Sequence, residues 1–351
     1  MSNPVNISKQ HYYYLDVLNI VATFAVVCLH TSDYVFQFSP NEPNWYLSLL
    51  IQILFIWAVP IFFMISGANL LNYRERYDTK VFFKKRCVHV LFPFIFWSLT
   101  WYVWNHVALG MPGWSIKNFW YEFEQNSIQP IFWFFYYIIP VYIAMPFLSI
   151  IANNKNKKIV EYIIFLYVLG TGIVNYIYTL LHRSFDMLVA NIPLALEMGI
   201  GIFFVGWYLH NYKISDKARH LIYIFSIIFG VFMYFLTIYM SFKQGHTARE
   251  AYSIFSIGGF ILPIGVWLFC QHHFNNWKPS SILAKWLNIV SSTSLGVYVI
   301  HEFIIQILEH FFKLSSNSLF HLLGLPLIVW LICLIIILIL KRVPVLNKII
   351  P

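Results

Sequence analysis

Charge is scarce in this chain. Lysine, arginine, aspartate and glutamate together make up 11% of its 351 residues, less than half the ~25% usual in a soluble domain. That excludes an ordinary water-soluble enzyme. Cysteine is also sparse: Cys28, Cys87, Cys270 and Cys333 form no CxxC pair. A disulfide framework and a cysteine zinc site are therefore excluded, and small apolar core positions are the expected role. There is no P-loop, GxSxG elbow, dinucleotide fingerprint or zinc-ligand spacing, so no metal is expected. The HxxxD pattern of membrane-spanning lipid acyltransferases is missing too.

Apolar length is what the chain has instead. Hydrophobic residues reach 60% and aromatics 20%, as in a many-helix bundle with aromatic interface belts. Ten apolar segments are predicted, about 14–36, 47–71, 88–109, 131–151, 160–181, 190–210, 220–241, 251–270, 288–312 and 318–340. Each reaches the ~20 residues of a bilayer crossing. The expectation is an all-α, multi-pass integral membrane protein, with residues 1–351 as one transmembrane domain and no soluble domain. The first segment is too long for a signal-peptide core and lacks a cleavage site, so it reads as a retained helix. Residues 110–130, with Trp114, Trp120, Glu122 and Glu124, read as an interfacial loop.

With ten crossings, 18 of the 23 lysines and arginines fall on the side that holds both termini, and 5 on the other. By the positive-inside rule both termini are cytoplasmic. Topology thus accounts for most of the net charge of +9, and no nucleic-acid partner is implied.

Ionisable groups within apolar runs cost a few kcal/mol each, so they are functional suspects. In LDVLNIVATFAVVCLHTSD, Asn19 and His30 are eleven residues apart, about three helical turns, or roughly 16 Å. His30 and Asp33 are three apart, neighbours on a helix surface, so the carboxylate could orient the imidazole as a general base. A polar pair at a membrane exit fits the same residues. VPIFFMISG offers Ser66 and Gly67 after Pro60, suiting either close helix packing or a site. KKRCVHVLFP combines Lys84, Lys85, Arg86 and His89, either a cytoplasmic anchor or a phosphate clamp with Arg86 as bidentate donor. Trp133 and Tyr136 precede Pro140 and Pro146, suggesting an aromatic belt or an irregular helix beside a cavity. Glu197 within EMGIGIFFVGWY needs a partner or a proton. SLGVYVIHEF brings Tyr298, His301 and Glu302 to mid-membrane depth. His182, His210, His272 and His273 read as solvated.

Taken in order, these motifs resemble the acyltransferase-3 family of bacterial membrane proteins, and within it the stand-alone, WecH-like O-acetyltransferases. His30 fills the histidine of the family's helix-1 signature, an arginine, ten residues, then a histidine, and Asn19 fills the arginine position. IFFMISGANLL, KKRCVHVLFPF, WFFYYIIPVYIAMPFLS, FFVGWYL and SLGVYVIHEF resemble its later motifs, with His89 in place of a second arginine.

The resemblance implies a bacterial inner-membrane enzyme that moves an acyl group from acetyl-CoA or another acyl-CoA to a hydroxyl of a surface glycan or lipid-linked sugar. His30 and Asp33 would be catalytic. Asn19, Ser66, Lys84, Lys85, Arg86 and His89 would hold the donor. Trp133, Tyr136, Glu197, Tyr298, His301 and Glu302 would meet the acceptor. The lipid bilayer is the surrounding partner, with a homodimer as a candidate assembly. Two alternatives stand beside it: a glycan or small-molecule transporter or flippase with a His/Glu path, and a non-catalytic sensor or partner subunit.

Overall fold

Nine helical stretches in the computed structural model are long and apolar enough to cross a membrane, among its described residues 11–182, 198–254, 256–344 and 350. All regular structure in those residues is helical. The elements are α1 (Tyr13–His30), α2 (Pro43–Phe55), α3 (Ala58–Leu70), α4 (Thr79–Arg86), α5 (Phe92–Val103), α6 (Ile116–Glu124), α7 (Trp133–Ile151), α8 (Lys157–Tyr167) and α9 (Tyr176–Leu180). After them come α10 (Met198–Asn211), α11 (Asp216–Gln244), α12 (Ile257–Phe274), α13 (Ser281–Ser291), α14 (Ser294–Phe312) and α15 (Leu325–Leu340). The predicted segment 190–210 corresponds to α10, which is described from Met198 onward, and Glu197 lies outside the described residues.

The bundle is built around α1. Tyr14, Leu18, Ala22 and Ala25 recur at helical spacing and are fully buried. Around it, α1 packs against α2, α3, α12, α13, α14 and α15. By contrast, α11 buries only Met233, Thr237 and Ser241, one narrow stripe, and leans on α12 and α2.

Two helices cross with their backbones nearly touching. A Cβ on Gly67 of α3 would collide with the Phe203 carbonyl of α10. A Cβ on Gly206 of α10 would collide with the Met64 carbonyl of α3. Close packing therefore explains Gly67, and small residues serve it because they let backbones approach.

Several breaks depart from a simple ten-rod picture. The second stretch pauses at Ile56–Trp57 and restarts as α3. Pro60 then falls in the first turn of α3, where its missing N–H leaves no bond unmade, so it does not kink a continuous helix. Pro93 cannot donate to the carbonyl four residues back, and the turn before it, Cys87–Leu91, is π-helical. Residues 288–312 are not one helix: α13 ends at Ser291 and α14 begins at Ser294. Here Ser292 Oγ donates to the Ile289 carbonyl and Thr293 Oγ1 to the Val290 carbonyl, each at 2.7 Å. Such side-chain bonds compete with helical ones. The stretch 110–130 is more than a loop, since it contains α6, whose Glu122 accepts from Asn118 at 2.6 Å.

Gly206→Val should destabilise the α3–α10 crossing by about 1–3 kcal/mol or more through overpacking. Thermal unfolding of purified protein in detergent measures this. A melting temperature equal to that of the wild type would contradict the crossing.

Candidate active site

Between α1, α3, α7 and α14 lies a cavity of about 240 Å³. Its walls are mostly apolar, with Val26, Phe62, Phe134 and Leu295 among them. Polar atoms gather at one end, where Asn19, Ser66, Tyr142, Ser291 and Ser292 line it. Asn19 Nδ2 donates to the Ser291 carbonyl at 2.8 Å and to Ser291 Oγ at 3.2 Å. The α13–α14 break therefore supplies this end of the cavity. Tyr142 hydrogen-bonds with Ser66 and Arg86, and the Arg86 guanidinium lies 5.5 Å from the Tyr142 ring centre. Arg86 Nε is buried with no hydrogen-bond partner among the described residues.

The rest of the basic cluster stands further out. Lys84, Lys85 and His89 are exposed, and Lys85 Nζ sits 4.0 Å over the Tyr77 ring. His89 has Arg86, Lys85 and Lys341 as its charged neighbours.

Tyr298 lines the other end of the cavity. Its hydroxyl donates to the Ile131 carbonyl, and its ring centre is 6.0 Å from that of His301. His301 is fully buried. Its Nδ1 meets the Tyr298 carbonyl at 2.7 Å. A carbonyl only accepts, so Nδ1 carries the proton and Nε2 keeps its lone pair. That Nε2 has no partner among the described residues. The His30 ring stands 5.0 Å away, centre to centre. His30, His301 and Glu302 offer ligand-type atoms that all lie within 4.8 Å of one another, the one such trio among the described residues. Glu302 also hydrogen-bonds with Gln306.

Two imidazoles and a carboxylate can shuttle protons, and they are also a donor set that suits zinc. Sequence spacing could not show this, because 271 residues separate His30 from His301.

Asp33 is placed differently from what the spacing suggested. Helix α1 ends at His30, with Thr31 as its cap. Ser32 Oγ donates to the Cys28 carbonyl at 2.7 Å, and Gln52 Nε2 to the Leu29 carbonyl at 2.6 Å. Asp33 therefore begins a separate turn, Asp33–Phe36, and the helical i,i+3 relation to His30 is broken. Burial raises the Asp33 carboxyl above its ordinary range, nearby His321 opposes this, and Glu309 reinforces it.

Trp133 packs on Tyr137, and the Tyr136 hydroxyl donates to the Phe123 carbonyl. From the same helix, Phe134, Ile138 and Tyr142 line the cavity instead. Of the histidines read as solvated, His272 and His273 are exposed. His210 is not simply solvated, because it bonds the Tyr14 hydroxyl through Nδ1 at 2.6 Å. Cys28, Cys270 and Cys333 are buried as expected, whereas Cys87 is exposed.

Sequence reasoning missed His321. It is fully buried, with Nδ1 2.9 Å from the Thr31 carbonyl and Nε2 2.7 Å from Glu309 Oε1. It ties the end of α1, next to His30, to α14. An isolated histidine in an apolar run was the available signal. His321→Ala strands the Thr31 carbonyl, and an unsatisfied buried group costs about 1–3 kcal/mol. The melting temperature should fall by several degrees. An unchanged melt would show that this tie carries no stability.

No curated protein and no solved structure matches the chain. A family description does: the acyltransferase domain of the acyltransferase-3 family matches residues 12–340. That span takes in the cavity, the His30 trio and all nine apolar stretches, and the chain belongs to the acyltransferase-3 family of membrane acyltransferases.

Proposed function

We propose that the protein is an O-acyltransferase of the bacterial inner membrane, with acetyl-CoA or another acyl-CoA as donor. Its acceptor is a hydroxyl of a surface glycan or lipid-linked sugar. The observation that carries this reading is the cavity, lined by Asn19 and by Tyr142, to which Arg86 is bonded, at one end and by Tyr298, next to His301, at the other. At about 240 Å³ it is smaller than the roughly 300–1,000 Å³ of pockets that enclose whole small molecules. A slender pantetheine arm suits it, whereas a nucleotide does not. The nucleotide then stays outside, where Arg86, Lys84, Lys85 and His89 form a basic rim. The distribution of lysine and arginine orients this rim toward the cytoplasm.

In the reaction, His30 takes the proton of the acceptor hydroxyl as its oxygen attacks the thioester carbonyl. The new C–O bond forms, the C–S bond breaks, and the proton passes to the departing CoA thiolate. Glu302 stabilises the His30 imidazolium. His301, its tautomer fixed by the Tyr298 carbonyl, accepts a hydrogen bond at Nε2 and holds the acceptor or His30 in line. Tyr298 closes the wall between the arm and the acceptor. Asp33, near His321 and Glu309, belongs to the acceptor mouth.

The test is release of CoA from radiolabelled acetyl-CoA by membranes carrying the chain, supplied with the host's own glycans and lipids. His30→Asn should lower turnover by about 10²–10⁴-fold, the range of a general base, with binding of acetyl-CoA retained. Full acyl transfer by His30→Asn would rule out this mechanism.

A further inference from the structure

Lys341 is one of the lysines and arginines that ten crossings would put on the side of both termini. The structure gives it a particular place. It follows the last residue of α15 and caps that helix. Its Nζ reaches across to donate to the Ser292 carbonyl, 49 residues away in sequence. Ser292 lines the cavity beside Ser291 and Asn19, and Asn19 is bonded to Ser291. Lys341 is therefore bonded to the polar part of the cavity wall, on a different helix from the α4 cluster. His89 feels both Lys341 and Arg86, so the two cations flank one opening from different helices.

Neither cation has a counter-ion among the described residues. Among the described residues, no carboxylate forms an ion pair with Lys341 or with Arg86. Burial lowers Lys341 from its ordinary value, as expected when an ammonium leaves water without a neutralising partner. Arg86 Nε is likewise buried and unbonded. Two half-buried cations, each bonded to a residue that lines the cavity and neither in an ion pair among the described residues, are suited to an anionic ligand.

We propose that Lys341 is a donor-binding residue, supplying the cation on the Asn19 side of the opening that, with Arg86 on the opposite side, grips a phosphate group of the acyl donor. This deepens the donor site proposed above and rests on that reading. Asn19 is held to Ser291 and carries no charge, so the attraction on its side of the opening comes from α15. Releasing the Ser292 carbonyl frees all three Lys341 donors for the phosphate.

Equilibrium binding of radiolabelled acetyl-CoA to the purified full chain in lipid nanodiscs tests the assignment, with thermal unfolding run in parallel. Lys341→Met should weaken binding by about tenfold or more, as for loss of a charge-assisted hydrogen bond, with an unchanged melt. Lys341→Arg keeps the charge and should stay within about threefold of the wild type. Unaltered binding by Lys341→Met would overturn the proposal, as would equal weakening by Met and Arg. Failure of the wild type itself to bind acetyl-CoA saturably is a different result, since it removes the donor reading beneath the proposal.

Discussion

Asn19 sits on a helix that other helices enclose, and its amide has to find its partners inside the protein. It finds them in the Ser291 carbonyl and hydroxyl. Hydrocarbon offers no hydrogen bonds, so irregular backbone at membrane depth persists only where protein or a cavity receives it. The interruption between α13 and α14 and the polar face of α1 thus satisfy each other. Removing either would leave the other with unmet polar groups, and the cavity exists because both are present.

The other end of the same helix obeys the same constraint. His30 is the last residue of α1. Around it, Ser32, Ser48, Gln52 and His321 engage the carbonyls that a helix end leaves free. His301 is fixed by its own backbone, so that one nitrogen is occupied and the other is not. The result is a frame holding two buried groups without a partner among the described residues, the lone pair of His301 Nε2 and the Nε of Arg86, and an ammonium, that of Lys341, whose bond is to the Ser292 carbonyl. Each stands next to a residue that lines the cavity: His301 beside Tyr298, Arg86 beside Tyr142 and Lys341 on Ser292. Transport through a His/Glu path would use the same trio, but the family model that matches the chain is that of an acyltransferase domain.

Much of this was legible in the sequence wherever a polar residue interrupted an apolar run. Asn19, His30, Arg86, Tyr298, His301 and Glu302 stood out because hydrocarbon penalises them; Asn19 and Tyr298 line the cavity, Arg86 bonds its Tyr142, and His30, His301 and Glu302 cluster beside Tyr298. Local spacing misled where a helix ended sooner than its hydrophobicity did. Asp33 lost its helical relation to His30 in that way, and the segment 288–312 lost its continuity. It also misled about direction: Trp133 and Tyr136 are on the right helix but turn from the cavity, while Phe134, Ile138 and Tyr142 face it. Pairings such as Asn19 with Ser291, His30 with His301 and His321 with Thr31 join residues more than 270 positions apart. No periodicity encodes such distances, and tertiary packing alone reveals them. Lys341 was hidden for another reason, since a lysine at the end of an apolar helix already reads as a positive-inside anchor.

The most direct measurement is an experimental structure of the full chain in nanodiscs with a non-hydrolysable thioether analogue of acetyl-CoA. The account predicts the pantetheine arm inside the cavity, its acyl carbon within a few ångströms of His30 and His301, and its phosphates outside, between Arg86 and Lys341. An analogue bound elsewhere, or with its nucleotide at the His30 end, would contradict it.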